Sequence, residues 1–249
     1  MSKRLSWLDC CKGATILLVV LGHVADGYLR AGAFSEHRTA LLAIYNLIYA
    51  FHMPLFYCLS GYVFYLAYCQ KRAEKQKNFW SQIVNLTWIY LVFSVVLWGF
   101  KMLFADSVNT QFGVRDFLMI PIKPLGEFWY VYVLIFIYLI AYVLEDKCDD
   151  RVVFIAAYVI SSIVKFFSFE ISFPLKNILY YFFFFYLGVC MAKRKNAIGK
   201  TVEKIAFISS VLVAAGSWSI CLLEKLSIHK IPVVCTFVGT SFCILSVLV

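Results

Sequence analysis

The chain alternates long apolar runs with short polar segments. The runs occupy residues 10–29, 41–68, 80–104, 128–144, 152–169, 178–192, 205–223 and 231 to the end. A helix needs about 20 mostly apolar residues to cross a bilayer, and only helices or closed barrels satisfy the backbone there. The pattern therefore predicts an all-α polytopic bundle of about eight transmembrane helices, forming a single membrane domain over residues 1–249. The run at 41–68 is long for one crossing and has Pro54 near its middle, so a kink or break is expected there. The last run reaches Val249 without a polar cap, so the eighth helix reads as incomplete and the chain as C-terminally truncated. The one sizeable polar segment is 105–126, with Asp106, Asn109, Gln111, Arg115 and Asp116.

Composition agrees. Hydrophobic residues make up 63% of the 249 positions, charged residues 15%, and mean hydropathy is +0.82. Soluble proteins average about 45–50% apolar and about 25% charged, so this excess needs lipid around it. A cleavable signal peptide is excluded because the first run carries Lys12, His23 and Asp26. The net charge of +9 does not point to nucleic acid, since no soluble basic domain or Arg/Lys-rich tail carries it. It fits basic loops instead. With an inside N-terminus, thirteen Lys and Arg fall inside and eight outside; the clusters Lys71, Arg72, Lys75, Lys77 and Lys193, Arg194, Lys195, Lys200 carry the bias. By the positive-inside rule the N-terminus is expected to be cytoplasmic; the expected location is the plasma (inner) membrane. Nine cysteines without a CxxC pair read as small buried hydrophobes, and no metal site is expected.

Against that background, polar residues inside the runs become functional candidates, because each costs on the order of 2.5–3.5 kcal/mol to insert. The first helix holds several. At about 100° per residue, the step from Lys12 to His23 leaves them within about 20° on one face and about 16 Å apart. Asp9, Thr15 and Asp26 fall near the same stripe, which is expected to face the bundle interior. Snorkelling is the ordinary account of Lys12, and a hydrogen-bonded helix contact is the ordinary account of a lone His. The shared stripe favours chemistry: a neutral imidazole at His23 accepts a proton, and Asp26 orients the ring and stabilises the imidazolium.

Two further constellations stand out. In Phe51-His52-Met53-Pro54-Leu55-Phe56, a His precedes a proline that frees backbone groups, and Ser60-Gly61 admits another helix closely. In Gly126-Glu127-Phe128-Trp129-Tyr130, an acid adjoins aromatics suited to the membrane interface. His52 and Glu127 are candidates for acceptor binding or orientation.

The segment from Trp7-Leu8-Asp9-Cys10-Cys11-Lys12 to Leu21-Gly22-His23 resembles the first helix of the acyltransferase family 3 membrane proteins, especially the fucose 4-O-acetylase-like branch. Phe51-His52-Met53-Pro54-Leu55-Phe56 through Ser60-Gly61-Tyr62 resembles that family's second-helix signature. Phe128-Trp129-Tyr130 resembles its later Trp-Phe-Leu element, and Phe185-Tyr186-Leu187-Gly188 its aromatic Leu-Gly element. The hallmark basic residue, often Arg, is Lys12 here, which keeps the charge but loses the bidentate fork. Family members usually continue through more helices than eight.

The resemblance implies a membrane O-acyltransferase that moves an acyl group, by expectation acetyl, from acyl-CoA to a hydroxyl of a sugar or lipid-linked glycan. His23 would be the catalytic base, with Asp26 beside it, and Lys12 would bind the acyl donor. Acyl-CoA is then a co-substrate rather than a bound cofactor, membrane lipid is a partner, and nucleic acid is not. Two other readings fit the same polar stripe: a transporter or flippase with a midplane site, and an inactive, truncated acyltransferase remnant.

Overall fold

The computed structural model describes residues 5–32, 35–69, 75–105, 112–145, 147–166 and 171–194. Among these it is all-α, with no strand: α1 (Ser6–Arg30), α2 (Arg38–Phe64), α3 (Lys75–Leu103), α4 (Val114–Met119), α5 (Trp129–Glu145), α6 (Asp150–Phe166) and α7 (Leu175–Arg194). Six of the eight apolar runs are thus helices with ends close to those expected. The runs at 205–223 and 231 to the end lie outside the described residues. Ser6–Arg30, Asn78–Leu103, Gly126–Glu145 and Leu175–Lys193 are long and apolar enough to cross a membrane.

α2 shows no break at its proline. It runs unbroken through Pro54, whose buried ring sits mid-helix, and continues into a π-helical turn at Tyr65–Cys69. Pro54 has no N–H to give to the carbonyl four residues back, but in a buried helix neighbouring groups compensate for such a loss. The run is thus one continuous helical segment from residue 38 to residue 69.

The described residues form two compact units. The first contains α1, α2 to residue 63 and α7 from residue 183. The buried positions of α1 are Leu8, Thr15, Gly22 and Ala25, a seam of mostly small side chains at near-heptad spacing, while Ile16, Leu17, Val20, Leu21 and Val24 are exposed. Lipid tails are as apolar as Leu, so the seam, not the bulky residues, makes the helix contact. α1 and α2 lie antiparallel: Trp7 meets Tyr62 edge to face at 5.2 Å, and Gly22 faces Ile48 and Tyr49. The chain leaves α1 at Gly32, whose φ of +67° is left-handed. α2 and α7 touch backbone to backbone where Gly61 meets the Phe185 carbonyl and Gly188 meets the Cys58 carbonyl, leaving no room for a Cβ on either glycine.

The second unit contains the π turn, α3 to α5, α6 to residue 164 and α7 to residue 182. Aromatic packing joins α3 to α5, with Phe79 stacked on Tyr142 at 4.0 Å and Tyr90 against Tyr132 at 5.4 Å. Such pairs contribute about 0.5–1.5 kcal/mol each beyond area burial. From residue 112 the polar segment before α5 is structured: α4 starts where the Gly113 N–H donates to Asp116 Oδ2 at 2.8 Å. α3 and α5 hold this segment by its backbone. Trp98 Nε1–H donates to the Gly113 carbonyl at 2.9 Å, the Tyr90 hydroxyl to the Ile120 carbonyl and the Tyr132 hydroxyl to the Ile122 carbonyl at 3.1 Å. Tyr90, Ile120 and Leu125 form the buried cluster beneath it.

Candidate active site

The first unit brings His23 of α1 together with Tyr49 and His52 of α2. Tyr49 Oη lies 3.3 Å from His23 Nδ1, and the two rings meet edge to face at 6.2 Å. On its other side Tyr49 meets the His52 ring at 5.0 Å, also edge to face, and Tyr45 packs against it at 4.2 Å. His23 is half-buried and His52 is buried. The three-residue spacing of Tyr49 and His52 puts both on one side of α2. Gly22 lets that side approach: a Cβ there would stand 3.0 Å from Ile48 Cγ2 and 3.1 Å from Tyr49 Cε2.

His52 donates from Nδ1 to the Ile48 carbonyl at 2.6 Å, one turn back along its own helix. That bond fixes the ring and leaves Nε2 as the accepting nitrogen of a neutral imidazole. Thr15 is buried and spends its hydroxyl on the Cys11 carbonyl at 2.6 Å, so its role in the polar stripe is structural.

The remaining candidates fall as follows. Asp26 is half-buried and bonded to Arg30 Nε at 2.8 Å, an i,i+4 ion pair on α1. His23 Nδ1 is paired with Tyr49. Lys12 is half-buried in the second turn of α1, toward the opposite end from His23; Asp9 is exposed. Thr15 alone of the polar stripe lies in the buried seam of α1, and the other stripe residues flank it. Glu127 belongs to the second unit and is exposed, on the short 3-10 turn at Gly126–Phe128.

Sequence reasoning missed Tyr49. It sits in an apolar run where a tyrosine reads as packing, and only its position three residues before His52 marked it. The Asp26–Arg30 pair was missed as well, although its i,i+4 spacing carries a helix ion-pair signal.

Comparison with known proteins adds the family. No curated protein and no solved structure matches the chain. A family model described as "Acyltransferase domain" (Acyl_transf_3) matches residues 5–249, from the residue before α1 onward. The match includes all the motif segments, His23 and His52 among them, and helices able to span a membrane carry it. The chain belongs to the family 3 membrane acyltransferases.

Proposed function

We propose that this membrane acyltransferase moves an acetyl group from acetyl-CoA to a hydroxyl of a sugar or lipid-linked glycan, with His23 as general base. The observation that carries the reading is the imidazole of His23 set inside a membrane helix against Tyr49 and the buried His52. A charged or polar group at that depth is retained for function more often than for stability.

In the reaction, His23 takes the proton of the acceptor hydroxyl. The oxygen attacks the thioester carbonyl carbon, forming the new C–O bond. The C–S bond then breaks, and the imidazolium returns the proton to the thiolate, which leaves as free CoA. Lys12, about 16 Å away along the same helix, meets the CoA phosphates at the cytoplasmic end. Asp26 lies three residues beyond His23. Arg30 holds one oxygen of its carboxylate, and Asp26 is assigned to orient the ring and stabilise the imidazolium. His52 and Glu127 are assigned to acceptor binding or orientation, His52 through Nε2. The N-terminus is assigned to the cytoplasm on the distribution of Lys and Arg, and the plasma membrane is the proposed location.

The test is labelled acetyl-CoA added to membranes containing the chain, with label followed into glycan or lipid-linked sugar. General base catalysis is worth about 10²–10⁴-fold, so His23→Ala should lose at least about 100-fold in transfer. Full transfer by His23→Ala sinks the assignment. Substrate crossing liposomes without thioester consumption indicates a carrier instead.

A further inference from the structure

We infer that Tyr49 is a positioning residue, which holds the Nδ1 of His23 protonated so that the lone pair lies on Nε2. The inference rests on His23 being the base. A neutral imidazole has one donor and one acceptor nitrogen, and the partner of one nitrogen decides the tautomer. The partner at Nδ1 is a phenol, which either gives or accepts a hydrogen bond. When His23 takes a proton both ring nitrogens become donors. Only the arrangement with Nδ1–H donating to Tyr49 Oη survives that step without the phenol turning round. With the reverse arrangement Nε2 already carries hydrogen and Nδ1 is blocked.

The phenol is suited to this because its ring is confined. Tyr45 packs against it at 4.2 Å, His52 meets it at 5.0 Å, and the backbone of α1 at Gly22 lies on the side where any Cβ would come within 3.1 Å. His52 is itself fixed by its bond to the Ile48 carbonyl. A carboxylate would hold the imidazolium more strongly, but the nearby Asp26 is engaged by Arg30. The Tyr49 hydroxyl at 3.3 Å from Nδ1 is neutral, so this contact adds no charge to the bilayer.

The experiment compares the full chain in membranes with His23→Ala, Tyr49→Phe, Gly22→Ala and Tyr45→Phe. It measures kcat and KM for acetyl transfer, and the ring-nitrogen NMR signals of His23, assigned by their loss in His23→Ala. Tyr49→Phe keeps the ring and removes the hydroxyl. Its kcat is expected to fall about 10–100-fold, the range for removing a partner that orients a functional His, while KM stays within about twofold. The His23 signals should lose their Nδ1–H form. Gly22→Ala, which pushes the Tyr49 ring aside, should shift the same signals. Tyr45→Phe, on the neighbouring ring, should leave them alone. If Tyr49→Phe keeps both wild-type kcat and the wild-type ring signals while His23→Ala is inactive, the positioning role is overturned and the base survives. Wild-type turnover in His23→Ala overturns the base, and the positioning role with it.

Discussion

A methyl group added at Gly61 or Gly188 tests the crossing of α2 and α7. At Gly61 the new Cβ would point at the Phe185 carbonyl, with that carbonyl carbon 2.8 Å and the Phe185 Cα 3.2 Å away. At Gly188 it would stand 2.8 Å from the Cys58 carbonyl carbon and 2.9 Å from the Tyr62 nitrogen. Non-bonded carbons rest about 3.5–4.0 Å apart, so the two helices must separate by roughly 0.7 Å or more. The obstructing atoms are backbone, so no side chain can swing away. Forcing a methyl into packed structure costs about 1–3 kcal/mol, a fall of about 5- to 150-fold in the folded-to-unfolded ratio. Because either methyl opens the same crossing, the double variant should cost less than the sum of the singles. Gly99→Ala is the control, since its Cβ would have nothing within 4 Å and α3 gains helix propensity. Unfolding of the purified chain by increasing SDS in mixed micelles, followed by tryptophan fluorescence, reads the difference. If Gly61→Ala and Gly188→Ala unfold at the Gly99→Ala midpoint, the close crossing is refuted.

Three other outcomes are expected. Lys12→Met removes the charge assigned to the CoA phosphates and should raise KM for acetyl-CoA about 10-fold at low salt with little change in kcat; an unchanged KM removes Lys12 from the donor site. Tyr90→Phe strips the buried Ile120 carbonyl of its partner, at about 1–3 kcal/mol, and should speed amide exchange across residues 114–123; exchange equal to wild type would mean the bond holds nothing in place. Cys148 is exposed on the turn between α5 and α6, beside Lys147 and Arg151. As the only cysteine left in the chain, it should resist a membrane-impermeant thiol reagent in intact cells and react in inverted vesicles, and the opposite result would invert the orientation.

The spans were legible because lipid leaves a chain few choices: an apolar run of bilayer length must be a helix, and α1, α3, α5 and α7 follow directly. Of the kink or break expected at Pro54, the break does not occur, and α2 runs on through the proline. The helix α4 was hidden by its shortness and its polar flanks. At the site, His23 and His52 stood out one at a time as polar exceptions. Their meeting did not, because it depends on Gly22 letting α2 close on α1, and sequence periodicity weighed the polar stripe over the small residues beside it. The same held at Gly61, whose capacity to admit a helix was readable while its partner Gly188 was not.

The segment carrying α4 is gripped at the carbonyls of Gly113, Ile120 and Ile122 by Trp98, Tyr90 and Tyr132, none of which belongs to it. Every residue type offers a carbonyl. The placement of this segment is thus written in α3 and α5, and Val114, Arg115, Leu118 and Lys123, all exposed, are left free to change. Substitutions there can redraw the surface presented between the two spans without reopening the question of how the segment folds, so new recognition can be tried on a fixed support.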